Sequence, residues 1–244
     1  MKREFLDGLN RMFLKTVIFD CDGVILDSFR EGLRRIKLLA AMHDISFTRE
    51  SRGRLTTLWG LPGIELLEQG IGINRALAER MYVVWEKMEI SDPIPLIPGA
   101  RETLYWLRKN GFVSCLLTSR HRTNLLEILD RADLEREFTL ITAREDGGPY
   151  HKPDPRVFFH TLSTLELDKG IKKEEECIFV GDTPSDILAG ANAGIRTLVA
   201  QTGPYLLKHA EMHPIPLGDI LQSIDNLPLW VEENHDGPLT HLYD

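Results

Sequence analysis

Short apolar runs alternate with amphipathic stretches along most of this chain, and the alternation is interrupted once. Thr16-Val17-Ile18-Phe19 is a β-prone run that stops abruptly at Asp20. Further strand-like runs occur at Phe112–Leu117, Phe138–Thr142, Cys177–Val180 and Arg196–Ala200, the last clear strand. Between them, Ala100–Asn110, Thr123–Arg131, Arg156–Leu165 and Pro184–Ala193 carry apolar residues at helical spacing. Gly111 and Gly194 follow two of these helices as stop signals, and Pro184 suits a first helical turn. This β–α alternation predicts an α/β fold with a mainly parallel, doubly wound sheet.

The interruption follows Val24. Phe29, Leu33, Ile36 and Ala40 recur at helical spacing, and further helical stretches lie near Arg49–Trp59, Ile64–Glu68 and Arg75–Glu89. No strand signal appears among them, so the segment reads as an all-helical insertion. The proline-rich stretch Asp92–Gly99 cannot continue a helix and reads as a stiff return hinge. The expected organisation is therefore a core of residues 12–27 and 92–230, a helical cap of residues 28–91, an N-terminal extension 1–11 and a C-terminal tail 231–244. Past Asp219 the pattern predicts one weak helix.

Composition changes this picture little. A chain of 244 residues with 43% hydrophobic and 27% charged residues can bury a sizeable core. Its net charge of -8 and the lack of a long basic run argue against nucleic acid or an anionic membrane as partner. No apolar stretch is long enough for a signal peptide or a membrane span, so the expectation is cytoplasmic. Cys21, Cys115 and Cys177 have no zinc-type spacing and fit buried roles in a reducing compartment. Cys21 stands between two acids, but alternation along a strand predicts that it faces away from them.

The candidate chemistry sits where the strand-like runs end. Asp20 and Asp22 follow the first, Thr118 the second, Lys152 a loop after the third, and Asp182 and Asp186 the fourth. In a parallel sheet these positions converge on the rim where α/β proteins bind ligands. Close carboxylates repel, and a bound cation or a retained proton relieves that repulsion. Taken singly, each residue reads as a cap, a turn residue or a solvated lysine. Taken together and in this order, they read as a site.

In that order the motifs resemble those of the haloacid dehalogenase-like superfamily. They are Asp20-Cys21-Asp22-Gly23-Val24, Thr118, Lys152-Pro153 and Gly181-Asp182-Thr183-Pro184-Ser185-Asp186. The helical insertion resembles the C1 cap of the phosphoglycolate phosphatase and β-phosphoglucomutase branch. The resemblance implies a Rossmann-like core and a Mg²⁺-dependent phosphatase of small phosphorylated metabolites, resembling phosphoglycolate or sugar phosphates as substrates. It implies that Asp20 attacks phosphorus to form an aspartyl-phosphate, and that Asp22 protonates the leaving oxygen and later deprotonates water. It assigns the metal to the Asp20 carboxylate, the Asp22 backbone carbonyl and Asp182. Asp186 would act directly, through water, or by orienting Lys152. Thr118 and Lys152 would hold the phosphoryl group, with backbone N–H groups near Gly23 and Ser119 completing the cradle.

Several readings stay open at this level. Arg120-His121-Arg122 reads either as a solvated turn or as substrate contacts, with Arg120 carried as a substrate-binding candidate. Trp59 reads equally as cap core or as a cap residue near substrate. A phosphomutase of the β-phosphoglucomutase type uses the same groups and differs in shielding the aspartyl-phosphate from water. A non-catalytic binder of phosphometabolites would retain the fold, although such chains lose a motif acid or the lysine and none is lost here. Asp22 and the Asp182/Asp186 pair argue against a dehalogenase, and Asp22 against a phosphonatase. Monomer and homodimer are both compatible with the chain.

Overall fold

The computed structural model describes residues 12–171, 176–204 and 215–239. Six strands form one parallel sheet: β1 (Thr16–Phe19), β2 (Val113–Leu117), β3 (Leu140–Thr142), β4 (Cys177–Gly181), β5 (Arg196–Ala200) and β6 (Ile220–Leu221). Their order is β3-β2-β1-β4-β5-β6. The chain builds outward from β1 through β2 and β3, then returns to the other side of β1 for β4, β5 and β6. The direction of winding therefore reverses at β1 and β4, the point where open parallel sheets form their ligand crevice.

The strands are apolar because both sheet faces are covered. All four residues of β1 and all five of β4 are buried. On one face Ile18, Cys115, Leu117 and Phe179 pack against Phe158 and Leu165, next to or within helix α7 (Phe159–Lys169). Ala189 of helix α8 (Pro184–Ala193) joins the same cluster. Alternate residues Val17, Phe19, Leu116, Ile178 and Val180 are equally enclosed. Period-two alternation sends them to the opposite face. Among the described residues, the other helices flanking the sheet in sequence are α5 (Ala100–Lys109), α6 (Arg122–Arg131) and α9 (Leu227–Asn234).

The chain divides into two compact units, one from Leu26 to Pro95 and the other comprising the sequence before and after it. The inserted unit holds α1 (Ser28–Met42), α2 (Arg49–Leu58), α3 (Gly63–Leu67) and α4 (Arg75–Ser91), with a wide π turn at Glu68–Gly72. Thr48 and Asn74 accept hydrogen bonds from the first turns of α2 and α4 and so set where those helices start. Its core is Leu33, Ile36, Leu39, Leu55, Leu67 and Met81. Arg35 lies almost wholly inside this unit, donating to Glu31 at 2.7 Å and to the Asp92 carbonyl.

Three details differ from the sequence reading. The third strand begins at Leu140, paired with Cys115, because a 3₁₀ turn at Glu135–Glu137 delivers Phe138 into the core before pairing starts. A sixth strand was not expected; β6 is two residues long, too short for any periodicity to register. The helix past Asp219 crosses the expected tail boundary at 230. It ends at Asn234, and His235 then bridges to Met12. The proposed extension 1–11 lies outside the described residues.

No helix among the described residues is long and apolar enough to cross a membrane. All three cysteines are buried and free, and burial pushes the Cys21 thiol well above its usual range.

Candidate active site at the carboxyl ends of the strands

Asp20 is the first residue past β1, and its N–H donates to the Val180 carbonyl of β4 at 2.8 Å. Continuing the ladder in this way aims the carboxylate off the strand end. Asp182 leaves β4 from the adjacent position, and Thr118 leaves β2, donating its N–H to the Thr142 carbonyl at 3.0 Å. Asp186 comes one helical turn later. Thr183 caps α8, and Asp186 completes the capping box, its Oδ2 accepting from the Thr183 N–H at 3.0 Å and hydroxyl at 2.5 Å. An ordinary helix start thus fixes the second acid of the fourth motif.

Lys152 joins the acids. Its ammonium lies 2.6 Å from Asp20 Oδ1 and 2.8 Å from Asp186 Oδ1, over the Phe179 ring at 5.1 Å. Carboxylate oxygens of Asp20, Asp182 and Asp186 all fall within 4.8 Å of one another, and all three residues are buried. Burial pushes the Asp20 carboxyl up to about 7; Lys152 opposes this, while the Asp186 and Asp22 charges add to it. Burial likewise raises Asp182 well above the carboxylate range, with Asp186 and Asp20 reinforcing it. Burial acts against the Lys152 ammonium, but the Asp186 and Asp20 charges outweigh it and hold the proton more tightly than in a free lysine.

Asp182 has the least compensated environment. Both its oxygens are buried, and neither finds a hydrogen-bond partner among the described residues. Two glycines make room for it. A Cβ at Gly23 would lie 2.0 Å from Asp182 Oδ2, and one at Gly203 only 1.6 Å away. Gly23 also has φ +78, a conformation side chains resist. Its carbonyl accepts from the Thr202 hydroxyl at 2.5 Å. A buried carboxylate with no donor is costly unless a cation balances it. Three converging carboxylates, one of them with both oxygens unpartnered among the described residues, form a hard, all-oxygen donor set, which suits a divalent cation such as Mg²⁺.

Asp22 stands apart from this buried cluster. Its side chain is 32% exposed and receives a two-pronged contact from Arg120, with Nη2 to Oδ1 at 2.7 Å and Nε to Oδ2 at 2.8 Å. Arg120 is itself positioned through its backbone. Its N–H donates to Thr118 Oγ1 at 3.2 Å, and its carbonyl accepts from the Arg144 N–H at 2.9 Å. The neighbouring loops are tied together further by His121 Nδ1 with Glu145 Oε1 at 2.7 Å and by Arg122 with Asp146.

Of the residues singled out from sequence, Asp20, Lys152, Asp182 and Asp186 come together in one cluster. Asp22 and Arg120 pair beside it, and Gly23 packs on Asp182. Ser119 is exposed and lines a small hollow with Thr118, Lys152 and Tyr150. Trp59 is half-buried and packs against the core of the inserted unit. Its ring meets Phe29 edge-on at 5.0 Å and fills the space beside Gly32, where a Cβ would lie 2.3 Å from it. Thr202 and Gly203 were not anticipated, although they stand just past β5 and a strand-end signal was available. The Arg120 contact with Asp22 spans 98 positions and has no local signal.

A family model for haloacid dehalogenase-like hydrolases matches residues 17–200, so the chain belongs to that family of enzymes. The phosphoglycolate phosphatase of Pseudomonas fluorescens is 28% identical over 196 residues, 78% of this chain and 70% of that one. The phosphorylated carbohydrates phosphatase of Thermotoga maritima is 27% identical over 190 residues, 76% of this chain and 84% of that one. A haloacid dehalogenase-like family hydrolase from Streptococcus pneumoniae shares the fold, with a TM-score of 0.70 at 14% identity. That match covers 89% of this chain and 98% of the other.

Proposed function

We propose that this protein is a Mg²⁺-dependent phosphatase that hydrolyses a small phosphate monoester through an aspartyl-phosphate on Asp20. The observation that carries the reading is the buried cluster of Asp20, Asp182 and Asp186 joined by Lys152. Relatives named for phosphoglycolate and for phosphorylated carbohydrates support a small, polar leaving group.

The carboxylates of Asp20, Asp182 and Asp186, with the Asp22 backbone carbonyl, would hold Mg²⁺. When bound, the ion balances their charge and that of the phosphoryl oxygens. Lys152 keeps Asp20 aligned while Asp186 fixes the ammonium from the other side. A carboxylate oxygen of Asp20 attacks phosphorus, the ester P–O bond breaks, and Asp22 gives its proton to the departing oxygen. Water then attacks the aspartyl-phosphate as Asp22 takes back a proton, releasing phosphate and restoring Asp20. The Thr118 hydroxyl donates to a phosphoryl oxygen, its own oxygen steadied by the Arg120 N–H. N–H groups near Gly23 and Ser119 complete the cradle.

The test is phosphate release from a panel of phosphate monoesters, with Mg²⁺ or with a chelator. Turnover that needs Mg²⁺ and vanishes in Asp20→Asn is the expected result. Turnover retained by Asp20→Asn sinks the mechanism. Isomerisation of β-glucose 1-phosphate without phosphate release replaces the phosphatase with a mutase, and Mg²⁺ binding without turnover on any ester replaces it with a binder.

A further inference from the structure

Among the described residues, Lys152 and Arg120 both pair with acids of this site, and they are held very differently. Lys152 is locked between Asp20 and Asp186, with only 9% of its side chain exposed. Arg120 meets Asp22 at the open edge, where the two side chains are 16% and 32% exposed. A pair within reach of solvent exchanges partners at small cost, whereas a buried one does not. Arg120 also has the right shape for exchange. Its planar fork already grips a carboxylate through three contacts of 2.7 to 3.0 Å, and an incoming carboxylate would fit the same fork. Its backbone is pinned on both sides, by Thr118 Oγ1 and by the Arg144 N–H, so the guanidinium turns on a fixed base.

The position of the fork relates it to the leaving group. The inference rests on the phosphatase reading, in which the ester oxygen lies against Asp22. An atom group two or three bonds beyond that oxygen then falls beside the guanidinium that Asp22 now occupies. We infer that Arg120 is a specificity-determining residue that passes from Asp22 to a carboxylate on the leaving group, selecting phosphate monoesters with a carboxylate close to the ester oxygen. The exchange releases Asp22 from the guanidinium as the substrate seats, so a carboxylate-bearing substrate assembles the site that cleaves it.

The experiment compares 2-phosphoglycolate with ethyl phosphate, which has the same chain length and no carboxylate, in the presence of Mg²⁺. The wild type should show the higher kcat/KM on 2-phosphoglycolate. Arg120→Gln should lose about a hundredfold on that ester, as expected for a lost charge-assisted contact, and far less on ethyl phosphate. Arg120→Lys, which keeps the charge without the fork, should fall between them. Turnover of ethyl phosphate reports that each variant is folded. Equal losses on both esters would show that Arg120 serves Asp22 alone and would overturn the inference, as would a wild type with no preference. A second measurement needs no turnover: calorimetric titration with 3-phosphonopropionate and propylphosphonate, whose P–C bonds resist hydrolysis. The carboxylate analogue should bind more tightly to the wild type and lose that advantage in Arg120→Gln; equal affinities overturn the inference. If no ester is turned over, the phosphatase reading fails on its own and this titration still decides the recognition.

Discussion

The Lys152 ammonium lies 2.6 Å from Asp20 Oδ1, and about a tenth or less of either side chain is exposed. The pair binds the first and third motifs across 132 positions. It also sets what each motif costs without the other, because a buried charge deprived of its partner is expensive.

Replacing Lys152 with Met should therefore destabilise the metal-free protein by about 3–5 kcal/mol, since Asp20 and Asp186 lose their shared cation. Urea denaturation in chelator measures this, and an unchanged midpoint would contradict the ion-pair geometry. Activity should be lost in the same variant even where Mg²⁺ restores part of the stability.

The pH dependence has a definite sign. Burial, reinforced by neighbouring acids and opposed by Lys152, raises Asp20 from an ordinary carboxylate value to about 7, and Asp182 moves the same way. The folded, metal-free protein then holds protons that the unfolded chain has released near pH 4. Stability from these groups is full below that pH and is lost as pH rises through about 7. In chelator, the wild-type midpoint should fall across this window relative to Asp182→Asn. Saturating Mg²⁺, which favours the ionised acids, should remove the fall. A midpoint difference independent of pH would contradict the prediction.

Gly203→Ala should act through Asp182. Its Cβ would enter the space of Asp182 Oδ2, where a Cβ lies only 1.6 Å away. The expected cost is about 1–3 kcal/mol of stability, as for other overpacked positions, together with weaker Mg²⁺ binding. Thermal melts and Mg²⁺ titration measure the two effects, and unaltered Mg²⁺ affinity would show that Asp182 is not confined as described.

Asp22→Asn separates proton transfer from metal holding. Its side chain lies outside the buried cluster, so Mg²⁺-linked stabilisation should persist. Phosphate release should drop by about 10²–10⁴-fold, the usual scale for removing a general acid. Near-normal turnover would remove Asp22 from the proposed chemistry.

The order of strands and helices is legible in the chain because each strand is a local apolar run and each helix a local period. The same locality exposes Asp20, Asp182 and Asp186, which need only follow a strand end or complete a helix cap. It fails at β6, whose two residues cannot establish a pattern, and at Phe138, which the core claims before the ladder begins. The residue types, their order and their strand-end placement are therefore properties of the sequence alone. Only tertiary structure decides that Lys152 sits between two acids, that Gly203 clears space for Asp182, that Trp59 packs against the core of its own unit, and that Arg120 grips Asp22. Each of these depends on which strand ends become neighbours and which side chains are buried together, and that is settled by packing between segments far apart in the chain.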